Sequence, residues 1–283
     1  MSSALRIACG RFGRVALLDM DRSLVRHAHP HCHVLLKVEG ADTRFFVGDH
    51  LVPLREDTAV LINAWEPHAY VHDPSRPRTI ILALYVEPAW LRRFRPNWGA
   101  SGAPGFFDRP IGSVSPRLRA LTERLALTMV HDPAATERQE ELLSQLMITV
   151  IERFTPWRTV SMSYRDMAHG VVDWRIRRAV ELIRTNPGAC IDVEGLAHEV
   201  GLSRAHFFRL FNSSYGMTPR VYLNVLRIEY AVRAAVVGDA TFATISDRLG
   251  FSVPAHFTRF FRDHAGTSPS EFRNVARLSA ASF

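Results

Sequence analysis

The chain has 283 residues, of which 47% are hydrophobic, enough for about two domains with real cores. Its formal net charge of +7 favours an anionic polymer as partner. No apolar run approaches the roughly 18 residues of a membrane span, and the first residues do not resemble a signal peptide; the longest candidate, 80–86, is stopped by Glu87 and Pro88. A cytoplasmic protein without membrane contact is therefore expected. Cys9, Cys32 and Cys190 are scattered thiols without a C-x-x-C pair and read as reduced cysteines. Lys37 is the only lysine, so the positive charge is almost all arginine, whose planar guanidinium suits bidentate contact with guanine and phosphate.

In chain order, residues 5–85 are β-rich. Short apolar stretches at 15–18, 34–38, 45–47, 59–62 and 79–85 alternate with turn residues such as Glu39-Gly40, Gly48-Asp49 and Asp73-Pro74. Strands of this length and spacing predict a barrel or jelly roll. Within them stand His27, His29, His31 and His33, with Pro67-His68 downstream. On a strand, residues two apart share a face, so the four histidines are expected to point the same way and to span about 20 Å, too far for one metal ion. Two neighbours such as His31 and His33 can still combine with His68.

Prolines and glycines make 90–110 irregular. Two helices follow, with stripes of Leu118, Leu121, Leu125 and Met129, then of Leu143, Met147, Val150 and Phe154. Such a pair can join two copies or cap the barrel; the dimer is the reading adopted. Residues 155–168 read as a linker. Residues 173–185 read as a helix with Ile176, Val180 and Ile183 inward, stopped by Asn186-Pro187-Gly188.

The rest of the chain contains one pattern twice. DVEGLAHEVGLSRAHFFRLFNSSYGMTPRVY begins at Asp192 and TFATISDRLGFSVPAHFTRFFRDHAGTSPSEF begins at Thr241. A repeat at fixed offset is a stronger signal than any single match. In the first copy Asp192 caps a helix, Leu196, Ala197 and Val200 form its apolar face, and Gly201 ends it. Ser203 then caps a second helix with Phe207, Leu210 and Phe211 inward. Its outward face carries Arg204, Ala205, Phe208 and Arg209. In the second copy Ser252 is the expected cap, Pro254 falls in the first turn, and Ala255, Thr258, Arg259 and Arg262 face outward. His206 and His256, beside inward phenylalanines, read as packing or phosphate-contacting groups.

These paired units, the G-x-[TS]-P-x-x-[YF] closures at 216–222 and 266–272, and Gly250-Phe251-Ser252 resemble AraC-type (AraC/XylS) transcriptional regulators over 171–278. The resemblance implies two helix-turn-helix units joined by a long helix at 219–237, with recognition helices entering successive major-groove segments. DNA contacts are then expected from Ser203, Arg204, Ala205, Phe208, Arg209, Ser252, Ala255, Thr258, Arg259 and Arg262. Ala205 and Phe208 offer only apolar contact, suited to thymine methyls; Phe208 reads equally as core.

With this module beside it, the β-rich half resembles the cupin-like sensor of such regulators. Metal-dependent cupins place a glutamate shortly after an H-x-H pair; here Glu39 lies six residues past His33, and Arg55-Glu56-Asp57 stands where a Pro-x-Gly turn is usual. The reading adopted is that His29, His31, His33 and His68 line the pocket of a small-molecule effector, with no metal and no cofactor. A metal site and plain exposed histidines remain the alternatives.

The expected architecture is α+β: a cupin-like effector-sensing domain at 1–110, a helical dimerisation segment at 111–158 and a double helix-turn-helix domain at 170–279. The expected function is a sequence-specific DNA-binding regulator, an activator by resemblance, with promoter DNA, a small effector, a second copy and RNA polymerase as partners. A metal-binding cupin enzyme fused to a DNA-binding module and an architectural DNA binder are the other classes. No Ser/His/Asp or Cys/His arrangement, phosphate loop or paired-carboxylate motif points to an enzyme.

Overall fold

A computed structural model describes residues 3–155, 172–188, 192–237 and 240–278. Most of the expected linker and Cys190 lie outside the described residues.

The first half is two facing sheets built from β1 (Ser3–Gly10), β2 (Gly13–Met20), β3 (Cys32–Gly40), β4 (Thr43–Val47), β5 (His50–Leu54), β6 (Thr58–Ile62), β7 (His68–Val71), β8 (Thr79–Val86) and β9 (Ile111–Ser113). Seven strands run in the order β10-β1-β2-β8-β3-β6-β9, and three in the order β5-β4-β7, where β10 is Ala276–Leu278. The larger sheet is buried on both faces, so its strands read as near-continuous apolar runs instead of alternating ones. Leu18, Leu35, Val60, Ile81 and Ala83 point inward against Phe45, Val47, Val52, Leu54 and Tyr70 of the smaller sheet. Their neighbours Leu17, Val34, Leu36, Leu61, Leu82 and Leu84 point outward into a second core. Glycine at position 13 is required by a close approach: φ is +105°, and a Cβ there would lie 2.2 Å from the Tyr85 carbonyl oxygen.

After a short helix α1 (Pro88–Leu91) and a 3-10 segment (Pro96–Gly102), α2 (Pro116–His131) and α3 (Thr136–Phe154) form an antiparallel pair. The Ser115 side chain caps α2 by accepting from the Leu118 N–H. The two apolar stripes expected to join two copies pack within the chain. Leu118, Leu121, Leu125 and Met129, with Leu143, Met147 and Val150, are buried against each other and against the outer face of the larger sheet. Sheet residues such as Leu84 are covered by these stripes, and Phe154 at the end of the second is half-buried.

The second half is helical: α4 (Trp174–Thr185), α5 (Val193–Glu199), α6 (Arg204–Tyr215), α7 (Pro219–Val237), α8 (Phe242–Arg248), α9 (Pro254–Ala265) and α10 (Pro269–Val275). Asp192 and Ser203 cap α5 and α6 through their side chains. Gly216 and Gly266 end α6 and α9 in the left-handed conformation, which glycine adopts without a Cβ penalty. In the second copy the cap moves: Val253, not Ser252, is the N-cap of α9, and no side chain caps it. Pro254 at the first helical position has no N–H to satisfy, which lowers the need for one.

The repeats do not share one core. The first packs Ile176, Val180, Ile183, Leu196, Phe207, Phe211 and Tyr222 together. The second packs Ile228, Val232, Ile245, Phe257, Phe261 and Phe272 in one continuous cluster with the barrel interior. Strand β10 adds parallel to β1, pairing Ile7 with Ala276.

Candidate functional site

Two surfaces carry the residues singled out from the sequence. The first is the outward side of α6 and α9. Packing of Phe207 and Phe211 in one, and of Phe257 and Phe261 in the other, turns equivalent faces outward. Arg204, Ala205 and Arg209 are exposed on α6, as are Ser203 before it, Ala255 and Arg259 on α9, and Ser252. The Arg259 side chain is 84% exposed, with only a 3.8 Å approach to Asp263. Phe208 is half-buried, packs against the first-repeat core and lies under the Arg204 guanidinium at 5.8 Å. Thr258 donates its hydroxyl to the Pro254 carbonyl, which holds that side chain along its own helix. Arg262 is half-buried.

The second is a knot of imidazoles. The expected run of four histidines along one strand does not form, because β3 starts only at Cys32. His27 and His29 lie on the preceding loop, tied across to β7: His27 N–H donates to the His68 carbonyl and His68 N–H to that of His27. The bend draws together rings that a strand would have spread over about 20 Å. Ring centroids are 4.4 Å apart for His27 and His68, 4.9 Å for His27 and His29, and 5.2 Å for His29 and His68. His33 stands 5.3 Å from His68 and stacks on Tyr85 at 4.1 Å. His31 leaves the group and bonds Glu87 at 2.8 Å.

Burial governs the electrostatics here. His29, His33 and His68 are 2%, 3% and 1% exposed. Burial, reinforced by neighbouring imidazoles, holds His27, His29 and His33 well below the ordinary imidazole value. Burial brings His68 down to about 4. For His31 burial acts the same way, but the Glu87 hydrogen bond and the charges of Glu229 and Glu87 outweigh it, and its value is raised. The first four rings are thus neutral at pH 7.

The knot sits where the two halves meet. Glu229 on α7 brings its carboxylate to 3.4 Å from His29 Nδ1. His264 on α9 lies 6.2 Å from His27, ring to ring. Ala28, between two of the histidines, is buried in the first-repeat core. The backbone N–H of Trp65 donates to the His29 carbonyl, and the Trp65 ring stacks on Tyr222 of α7 at 4.9 Å. Glu229, His264 and Trp65 escaped the sequence reading because nothing local marks them: the ring and carboxylate contacts that join them to the other half run between residues some 150 to 240 apart in the chain. A separate cleft of about 360 Å³, lined by Asp42, Arg44, Arg55, Asp73 and Arg76 among others, lies outside the knot.

The arrangement has known counterparts. Residues 16–147 match the AraC-like ligand binding domain family, and residues 196–274 match a helix-turn-helix domain family. The chain belongs to the AraC family. As an AraC-type chain it is 30% identical over 114 residues to the lactose operon transcription activator of Staphylococcus xylosus. That match covers 40% of this chain and only 38% of the relative. Two structures of ToxT from Vibrio cholerae share the AraC-type fold over 92% of this chain. The ligand-free K231A form covers 96% of that chain at 11% identity with a TM-score of 0.54, and the form bound to an unsaturated fatty acid covers 94% at 11% with 0.53. Among the described residues, no helix is long and apolar enough to cross a membrane.

Proposed function

We propose that the chain is a sequence-specific DNA-binding transcriptional regulator, an activator, whose AraC-type barrel senses a small effector. The observation that carries the first part is the matched exposure of Arg209 and Arg259 at equivalent positions of two helices whose opposite faces are core. An arginine held out on a recognition helix can bond guanine O6 and N7 together. Ser203, Arg204, Ala205, Ser252, Ala255 and Arg262 flank these two, Phe208 and Thr258 supply the edges of the face, and phosphate contacts by arginines supply most of the affinity. The relative from Staphylococcus xylosus is named as an activator, which supports the direction of regulation. RNA polymerase and a second copy are the partners that the family suggests. With the leucine stripes buried, dimer contact falls on the outward face of α2, where Leu127 and Val130 are exposed.

Selection of genomic DNA fragments by the purified chain at physiological salt tests this reading. Two short conserved blocks about one helical turn, ~34 Å, apart are expected. Arg259→Ala should weaken binding to the selected site by about 1–3 kcal/mol while changing non-specific binding much less. Enrichment without a common sequence would indicate an architectural binder instead.

A further inference from the structure

We propose that His27, His29 and His68 bind a divalent transition-metal ion of the zinc class, each through Nε2, and that Glu229 orients His29 for it. One nitrogen from each of the three rings already lies within 4.8 Å of the others. Tetrahedral coordination at about 2.0–2.1 Å needs nitrogens roughly 3.3 Å apart. The broad terminal torsion of each ring is the freedom available to close that gap.

The hydrogen bonds fix which nitrogen is offered. His27 Nδ1 donates to the Val25 carbonyl oxygen at 2.7 Å, and His68 Nδ1 donates to that of Glu66 at 2.9 Å. A carbonyl only accepts, so in each neutral ring the lone pair sits on Nε2. His29 Nδ1 faces the Glu229 carboxylate at 3.4 Å, too loosely aligned in the present geometry for a hydrogen bond but placed to accept one. All three rings therefore have an oxygen acceptor behind Nδ1, the outer-shell pattern that orients metal-bound imidazoles and raises their basicity.

Without an ion the knot is poorly satisfied. Both ring nitrogens of His29 and of His33, and Nε2 of His68, are buried and lack a hydrogen-bond partner. Buried polar atoms are normally paired, and an ion satisfies three imidazoles at once. It also needs no cavity, which suits a barrel interior filled by Leu35, Phe45, Val60 and Tyr70. The ligand set is three imidazole nitrogens, which suits zinc, cobalt or nickel and disfavours magnesium and calcium. Because Glu229 belongs to α7, the helix that joins the two repeats, the ion would tie the sensor loop to the DNA-binding half.

This inference uses the regulator reading only for what the ion does, not for its binding. The full chain, stripped with a chelator, is titrated with Co²⁺ and followed by its visible d–d absorption, then with Zn²⁺ in competition. The expected result is one Co²⁺ per chain displaced by one Zn²⁺, lost in His29→Gln and in His68→Gln, and bound 10–100-fold more weakly by Glu229→Gln. No bound equivalent, or one that survives both histidine substitutions, overturns the site. An unchanged affinity in Glu229→Gln overturns the role of that carboxylate. Should the histidine variants not fold, ring ¹⁵N resonances of the parent chain decide: Zn²⁺ must shift those of three histidines, and no shift rejects the site. DNA selection on the same preparations separates the two readings. A chain that selects an operator but takes no ion sinks this inference alone; one that takes the ion but selects no DNA sinks the regulator reading alone.

Discussion

His27, His29, His33 and His68 are each held below the ordinary imidazole value by burial, so folding favours their neutral rings. A group whose folded value is depressed contributes stability above its unfolded value and loses it as the pH falls. His31 has the opposite sign: its raised value contributes below about 6.5 and fades as the pH rises. Four groups against one predict that the metal-free chain is destabilised by acid, beginning near pH 6.5 and continuing toward the value of about 4 for His68. Melting temperatures in chelator from pH 7.5 to 4.5 measure this; a flat profile would mean that the rings are not buried as described. At this scale the sequence revealed the residue types but not their grouping. His29 and His31 look alike in the pattern H-x-H-x-H, yet one enters the knot and the other pairs with Glu87, because the turn before β3 decides where each ring points. Ser252 shows the same limit: a good capping residue lost its place to the next position when Pro254 set the start of α9.

At the scale of elements, periodicity identified α4, α5 and α6 and strands β2, β3, β4, β6 and β8, the repeat carried the reading to α9, and the family resemblance supplied α7. Periodicity did not say what a stripe packs against. The Leu121 and Leu125 stripe has the same spacing whether it meets a partner helix or a sheet, and in the fold it lies against the outer face of the larger sheet. Leu125→Ala should therefore lower stability by about 2–5 kcal/mol, the usual loss for a buried leucine, and leave the mass in solution unchanged. Denaturant unfolding with sedimentation checks both; a shift toward monomer with full stability would restore the dimer contact. Strands β1, β5 and β7 were the least legible, being short or interrupted by polar residues.

The molecule as a whole is more continuous than two named domains suggest, because the second repeat and the barrel interior form one cluster. The Trp65 ring adds a second bridge. It stacks on Tyr222 at 4.9 Å from a backbone with φ +64°, a conformation uncommon outside glycine. An aromatic pair of this kind is worth about 0.5–1.5 kcal/mol beyond its buried area. Trp65→Ala should lower overall stability by about 1 kcal/mol or more and pull the unfolding of the two halves apart in calorimetry. A single unshifted transition would show that the bridge does not couple them. None of this was visible in the sequence, where both halves read as self-contained.

The pairing of β1 with β10 bears on how the protein is made. Ile7 meets Ala276 about 270 residues later, so the edge of the first sheet emerges from the ribosome long before its partner exists. At roughly 5–20 residues per second, β1 waits on the order of 15 to 55 s with its outer N–H and C=O groups unpaired. During translation that edge is a natural station for a chaperone, and nascent chains stalled before residue 276 should hold it open.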